Sequence, residues 1–103
     1  MIICKGVTTP MTIDLSSIDF TGVEKIVLTI KNRTTEEPVV IREFTEPKVY
    51  VDKITPEEAH KIHYGALYDF DAVMASTGER NKITRNYDIK LVEGVGSVYD
   101  TTD

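Results

Sequence analysis

Thr55-Pro56-Glu57-Glu58-Ala59-His60-Lys61-Ile62-His63-Tyr64-Gly65-Ala66-Leu67-Tyr68-Asp69-Phe70-Asp71-Ala72-Val73-Met74 changes its period partway along, and that change decides the fold class. Thr55 is a capping residue type, and Pro56 suits a first helical position, where a missing N–H costs nothing. Glu58 stands three residues after the cap, so its carboxylate can reach back to it. Ala59 and Ile62 share one helical face, and Gly65 breaks the segment. From Ala66 the apolar residues fall at every second position: Ala66, Tyr68, Phe70, Ala72 and Met74. That is the spacing of a strand with one oily and one wet face. The helical turn near residues 56–63 spans at most about two turns, so tertiary packing must hold it.

Outward from this stretch the same two-residue period recurs. Met11, Ile13 and Leu15 alternate with Thr12 and Asp14. In Glu24 to Lys31, Ile26, Leu28 and Ile30 point one way while Lys25, Val27, Thr29 and Lys31 point the other. The two lysines are read as guards against edge pairing. A polar turn from Asn32 to Pro38 leads to a strand over Val39 to Phe44, expected to pair antiparallel with Glu24 to Lys31. Glu46-Pro47 breaks that strand, and Val49 to Ile54 follows. After the Thr77-Gly78-Glu79-Arg80-Asn81 turn, Ile83 to Val92 closes the set, with Ile83, Tyr87, Ile89 and Leu91 on one face. Arg85 interrupts that face and is placed near an edge.

Strands of this length, punctuated by turn signals at intervals of roughly eight to twelve residues, predict an all-β fold. The expected architecture is an antiparallel immunoglobulin-like β-sandwich of about six to eight strands with the one short helical turn. Residues 1–96 are read as one domain and 97–103 as a flexible tail. A chain of 103 residues suffices for one modest core.

The net charge is −5 and the twelve basic residues are scattered, which argues against nucleic acid and anionic membrane as partners. Cys4 is the sole cysteine, so no internal disulfide is possible, and it is read as a free, partly buried thiol. Residues Met1 to Lys5 are too short for a signal peptide, and no apolar run reaches membrane-spanning length.

No pattern carries catalysis or a cofactor. Asp69 and Asp71 project from one strand face but lack the glycine turn and ligand count of a calcium loop, so they are read as a solvent face. His60 and His63, three apart, are two imidazoles without a third zinc ligand, hence surface histidines. Cys4 has no local signature of a nucleophile, and no serine lies in a G-x-S-x-G context. Gly94-Val95-Gly96 lacks the following helix of a dinucleotide site. No metal, cofactor, catalytic residue or small-molecule substrate is expected. Tyr68 and Tyr87 are in phase with the apolar sets and are read as core or rim. Tyr50, out of phase with Val49 and Val51, and Tyr99, in the tail, are the candidates for contact with another chain, together with His60 and His63.

The order of parts is itself informative: Lys5-Gly6-Val7-Thr8-Thr9; Asp19-Phe20-Thr21-Gly22-Val23-Glu24-Lys25-Ile26-Val27-Leu28-Thr29-Ile30-Lys31; Ile54-Thr55-Pro56-Glu57-Glu58-Ala59; Tyr64-Gly65-Ala66-Leu67-Tyr68-Asp69-Phe70-Asp71; the Thr77-Gly78 turn; and a last strand. It resembles small phage- and prophage-encoded proteins with an immunoglobulin-like β-sandwich, such as the N-terminal domain of phage baseplate upper proteins. Arg85-Asn86 departs from it, standing where a glycine is expected before the last strand. No shaft or receptor-binding region is seen, so no host-recognition role is implied. The resemblance implies a virion structural or assembly protein of the tail, baseplate or head-tail region. Its partners would be other phage structural proteins or further copies of itself, met in the host cytoplasm during assembly and then in the virion. It brings no catalytic residues. The alternative from another class is a carbohydrate- or cell-surface-binding β-sandwich module.

Overall fold

The computed structural model describes residues 2–35, 37–83 and 87–93. In chain order these form β1 (Ile2–Lys5), β2 (Thr9–Asp14), β3 (Val23–Lys31), β4 (Pro38–Phe44), β5 (Val49–Ile54), α1 (Pro56–His60), β6 (Leu67–Met74), β7 (Arg80–Lys82), β8 (Tyr87–Asp88) and β9 (Lys90–Glu93). The protein is all-β: mostly antiparallel strands in two layers with one short helix. The larger layer runs β4-β3-β6, with β7 and β8 both on the far side of β6. From β8 the chain passes through Ile89 into β9, which pairs in parallel with β1. The smaller layer is the antiparallel pair β2–β5.

The core forms where the two layers meet. Ile26, Leu28 and Ile30 of β3 are fully enclosed, as their alternation requires, and pack with Met11, Ile13, Ile54, Val40 and Phe44. The expected pairing of β3 with β4 is present, and β3 pairs with β6 on its other side. Lys25 and Lys31 therefore do not guard an edge, because β3 is central. Lys25 instead meets Glu43 of β4 at 2.9 Å.

The helical turn has its expected start. Thr55 Oγ1 accepts from the Glu58 N–H at 3.2 Å, and the Thr55 N–H donates to Glu58 Oε1 at 3.0 Å. Ala59 and Ile62 are both fully buried. The helix is five residues long and ends at His60 rather than His63. Gly65 follows with φ of 86°, a left-handed conformation that glycine adopts without a Cβ clash. The strand then begins at Leu67, one residue after the alternation starts.

Three further departures have physical causes. Tyr50 turns inward, packing 4.6 Å from the Phe44 ring, while Val49 and Val51 face out, Val51 at 80 % exposure. Tyr50 shares its face with Ile54, and burial of Ile54 sets the phase of β5. Within the expected last strand over 83–92 the described residues form two short segments, because β8 pairs with β6 whereas β9 pairs with β1, and β7 begins earlier, inside the expected turn. The inward set of that strand divides accordingly: Ile89 is buried, whereas Ile83 is 39 % exposed. Finally, β1 is a strand with Ile3 fully buried, a contribution to the core that four residues of sequence do not announce. The expectations for Tyr99, for the tail, for Arg85 and for Gly94 to Gly96 fall outside the described residues.

Candidate functional site

The two outer edges of the β2–β5 pair are built differently, and that difference is the most specific surface feature of the fold. On β5 the edge is closed by side chains. The Lys53 C=O accepts from Arg42 Nη2 at 3.1 Å, and the Lys53 N–H donates to Asp52 Oδ1 at 2.8 Å. Arg42 also donates to Asp52 Oδ2 at 2.9 Å and to both Glu58 oxygens at 2.8 and 2.9 Å. One guanidinium thus ties β4, β5 and α1 together while covering a strand edge that would otherwise invite pairing.

Burial pushes the Glu58 carboxyl up, but the Thr55 N–H and the Arg42 guanidinium outweigh it, and the net shift is down from the ordinary 4.5. A carboxylate held low in the folded state stabilises above its unfolded value, and that stability disappears as pH falls through the folded value. Replacing Glu58→Gln is therefore expected to flatten the loss of stability below about pH 4.5, measured as urea midpoints at pH 3 to 7. An unchanged acid limb would show that the Glu58 carboxylate is not the source of that dependence.

Among the described residues the β2 edge is open. Because both backbone groups of Lys53 point away from β2, its partner Pro10 forms a non-hydrogen-bonded pair with it. By alternation the backbone groups of Pro10, Thr12 and Asp14 point off the other side of β2. Among the described residues no strand pairs there. Pro10, lacking an N–H, is the one blunting device in that row.

Beside this edge lies an apolar groove of about 480 Å³. Met11 and Ile13 of β2 line one side; Ile2 and Ile3 of β1, Tyr68 and Phe70 of β6, and Ile83 line the other. Tyr68 and Phe70 meet edge to face with centroids 6.2 Å apart. The groove exists because the layers differ in width. Arg42 ties β5 to β4, β2 faces Tyr68 and Phe70 of β6 across the groove, and the larger layer continues past β6 with β7 and β8.

The outer face of the larger layer is polar. Asp69 and Asp71 do lie on it, yet Asp69 is buried and Asp71 nearly so. Lys82 Nζ stands 3.0 Å from Asp69 Oδ2 and 3.6 Å from Asp71 Oδ1, and Arg80 reaches Asp71 at 3.5 Å. The Asp69 carboxylate raises the Lys82 ammonium above its ordinary value. Both carboxylates are engaged by cations of β7, which fixes the register of that short strand. Among the described residues no group of three His, Cys, Asp or Glu comes together to hold a metal, and no helix is long and apolar enough to cross a membrane.

The residues singled out from sequence are not gathered into one patch. His60 and His63 are exposed, on the last residue of α1 and in the segment after it. Tyr50 lies four residues back along β5 on the inner side, where its hydroxyl accepts from the Glu46 N–H at 3.0 Å. Cys4 is a free, partly buried thiol on β1, its N–H donating to Thr9 Oγ1 at 3.0 Å. The groove and the open edge escaped sequence reading. Pro10 inside an alternating run was the available signal, since proline in a sheet marks an edge or a bulge.

An all-β protein of two unequal layers, with one edge sealed and the other open over an apolar groove, is the class these observations define. Comparison of the chain with family models, curated proteins and solved structures finds no match in any of the three.

Proposed function

We propose that this protein is a non-enzymatic structural or assembly component of a phage or prophage particle, an immunoglobulin-like sandwich that acts by docking onto other protein chains. The strand order supports the immunoglobulin-like reading. A β2–β5 pair faces β4-β3-β6, and β1 pairs in parallel with β9, as in sandwiches whose first strand joins the last. The observation that carries the docking reading is the open β2 edge beside the groove, opposite a β5 edge sealed by Arg42. Sheets left with an unpaired edge over apolar surface are completed by a partner strand or aggregate.

The test is compositional. Particles purified by density gradient from an induced lysate of the source strain should contain this chain at a fixed ratio to the major tail or head protein, measured by quantitative mass spectrometry. Its absence from particles and from assembly intermediates sinks the reading.

A further inference from the structure

We propose that the groove beside β2 is a receptor for a single extended segment from another protein chain, which adds as a strand to the Pro10–Asp14 edge. Its alternate apolar side chains would enter the groove between Ile13 and Phe70. The proposal deepens the docking reading by naming the form of the partner.

Three features select an extended segment over other occupants. The first is backbone chemistry. The edge offers Thr12 and Asp14 as donors and acceptors and Pro10 as acceptor only, a row that another peptide backbone can match. The second is shape. The wall opposite β2, made by Ile2 and Ile3 of β1, Tyr68 and Phe70 of β6 and Ile83, forms a shelf under the place where an added strand would lie. A second copy pairing edge to edge through its own β2 would bring its own larger layer into the space that this shelf fills. A lone strand has no such layer, so the shelf admits it and rejects the copy. The third is polarity. Among the described residues the shelf side presents Ile2, Ile3, Tyr68, Phe70 and Ile83, all apolar or aromatic, and these favour apolar side chains at the inward positions of the occupant. Strand side chains alternate, so its outward positions can be polar, and such a segment can be carried as a solvated tail until it docks.

The probe is a capped peptide, Lys-Thr-Val-Thr-Val-Thr-Val-Thr-Lys, titrated into the full 103-residue chain and followed by amide NMR. A control of the same length has the two threonines that flank the central valine replaced by proline. Saturable shifts at Met11, Ile13, Phe70 and Ile83 are expected. At a peptide concentration about ten times the measured Kd, exchange of the Thr12 and Asp14 amides should slow by about tenfold. The control peptide should do neither.

Thr12→Pro removes the central donor of the open edge without touching the β5 ladder, because the Thr12 N–H points away from β5. It should keep its melting temperature and lose peptide binding. Ile83→Lys, at a half-exposed position on the shelf, supplies a second variant that should bind at least about tenfold more weakly if β2 itself is disturbed in the first.

Equal binding of both peptides, or binding undiminished in both variants, overturns the proposal. So does finding the Thr12 and Asp14 amides already protected in the free chain and exposed by removing residues 94–103, because the occupant would then be the chain's own. A failed titration with the chain present in particles rejects the edge and leaves the docking reading standing. Absence from particles with a successful titration does the reverse.

Discussion

Replacing Leu28 by alanine is expected to destabilise the fold by about 3–5 kcal/mol, the upper part of the range for truncating a large buried aliphatic side chain. Leu28 is fully enclosed at the midpoint of β3. Its strand is paired on both sides, opposite Arg42 of β4 and Phe70 of β6. A backbone held by two ladders cannot collapse into the space left by the lost atoms, so the cavity remains and adds to the lost transfer energy. Each kcal/mol corresponds to roughly 4–8 °C in a domain of this size, so the melting temperature should fall by 12 °C or more, on the order given by. Val51→Ala is the matched control: it also lies within a strand, but at 80 % exposure it should shift stability by less than about 0.5 kcal/mol. Urea denaturation of both variants checks the pair. A Leu28→Ala effect no larger than that of Val51→Ala would mean that the two layers do not close on β3.

The second large effect is expected at Asn32, a residue that reads as part of a polar turn yet is 3 % exposed. Its Nδ2 donates to the Lys61 C=O at 2.9 Å, and its Oδ1 accepts from the His63 N–H at 2.8 Å. One amide side chain thus fastens the end of β3 to the segment between α1 and β6. Arg33 adds a bond from Nε to the Gly65 C=O at 3.1 Å. Asn32→Ala strands a donor and an acceptor in a protected place, at about 2–4 kcal/mol for the two groups together.

Asn32→Asp sharpens the test. The new carboxylate can still accept from His63 but faces the Lys61 carbonyl with like polarity. Burial then favours its neutral form, so its folded pKa lies above the unfolded value of about 3.9. With more protons bound in the folded state, the stability of N32D falls as pH rises through the unfolded value toward the folded one and then levels off. Urea midpoints from pH 3 to 7 should therefore show the gap to the parent chain narrowing toward acid. A gap that does not change with pH would count against the two-bond latch.

The elements with a strong local signal were legible in the sequence. The β3 alternation placed Ile26, Leu28 and Ile30 inward, and the cap at Thr55 and Glu58 lies where the residue types put it. Val49–Ile54 has the expected bounds. Errors arose where phase or pairing depends on a distant strand. Tyr50 and Val51 exchange roles because Ile54, four residues past Tyr50, is the residue the core captures. Asp69 reads as solvent-facing, and its burial depends on Lys82, thirteen residues later. Ile3 belongs to the core only because β9 comes back alongside β1.

From its own residues the chain determines that it forms strands, where most of them run, and that a capped turn precedes β6, since these follow from local period and backbone preference. Which edge is sealed and which lies open was decided only by the assembled layers. Arg42 can cover the β5 edge only after β4, β5 and α1 have met. The groove exists only because the larger layer extends past β6, a difference in width that no single strand encodes.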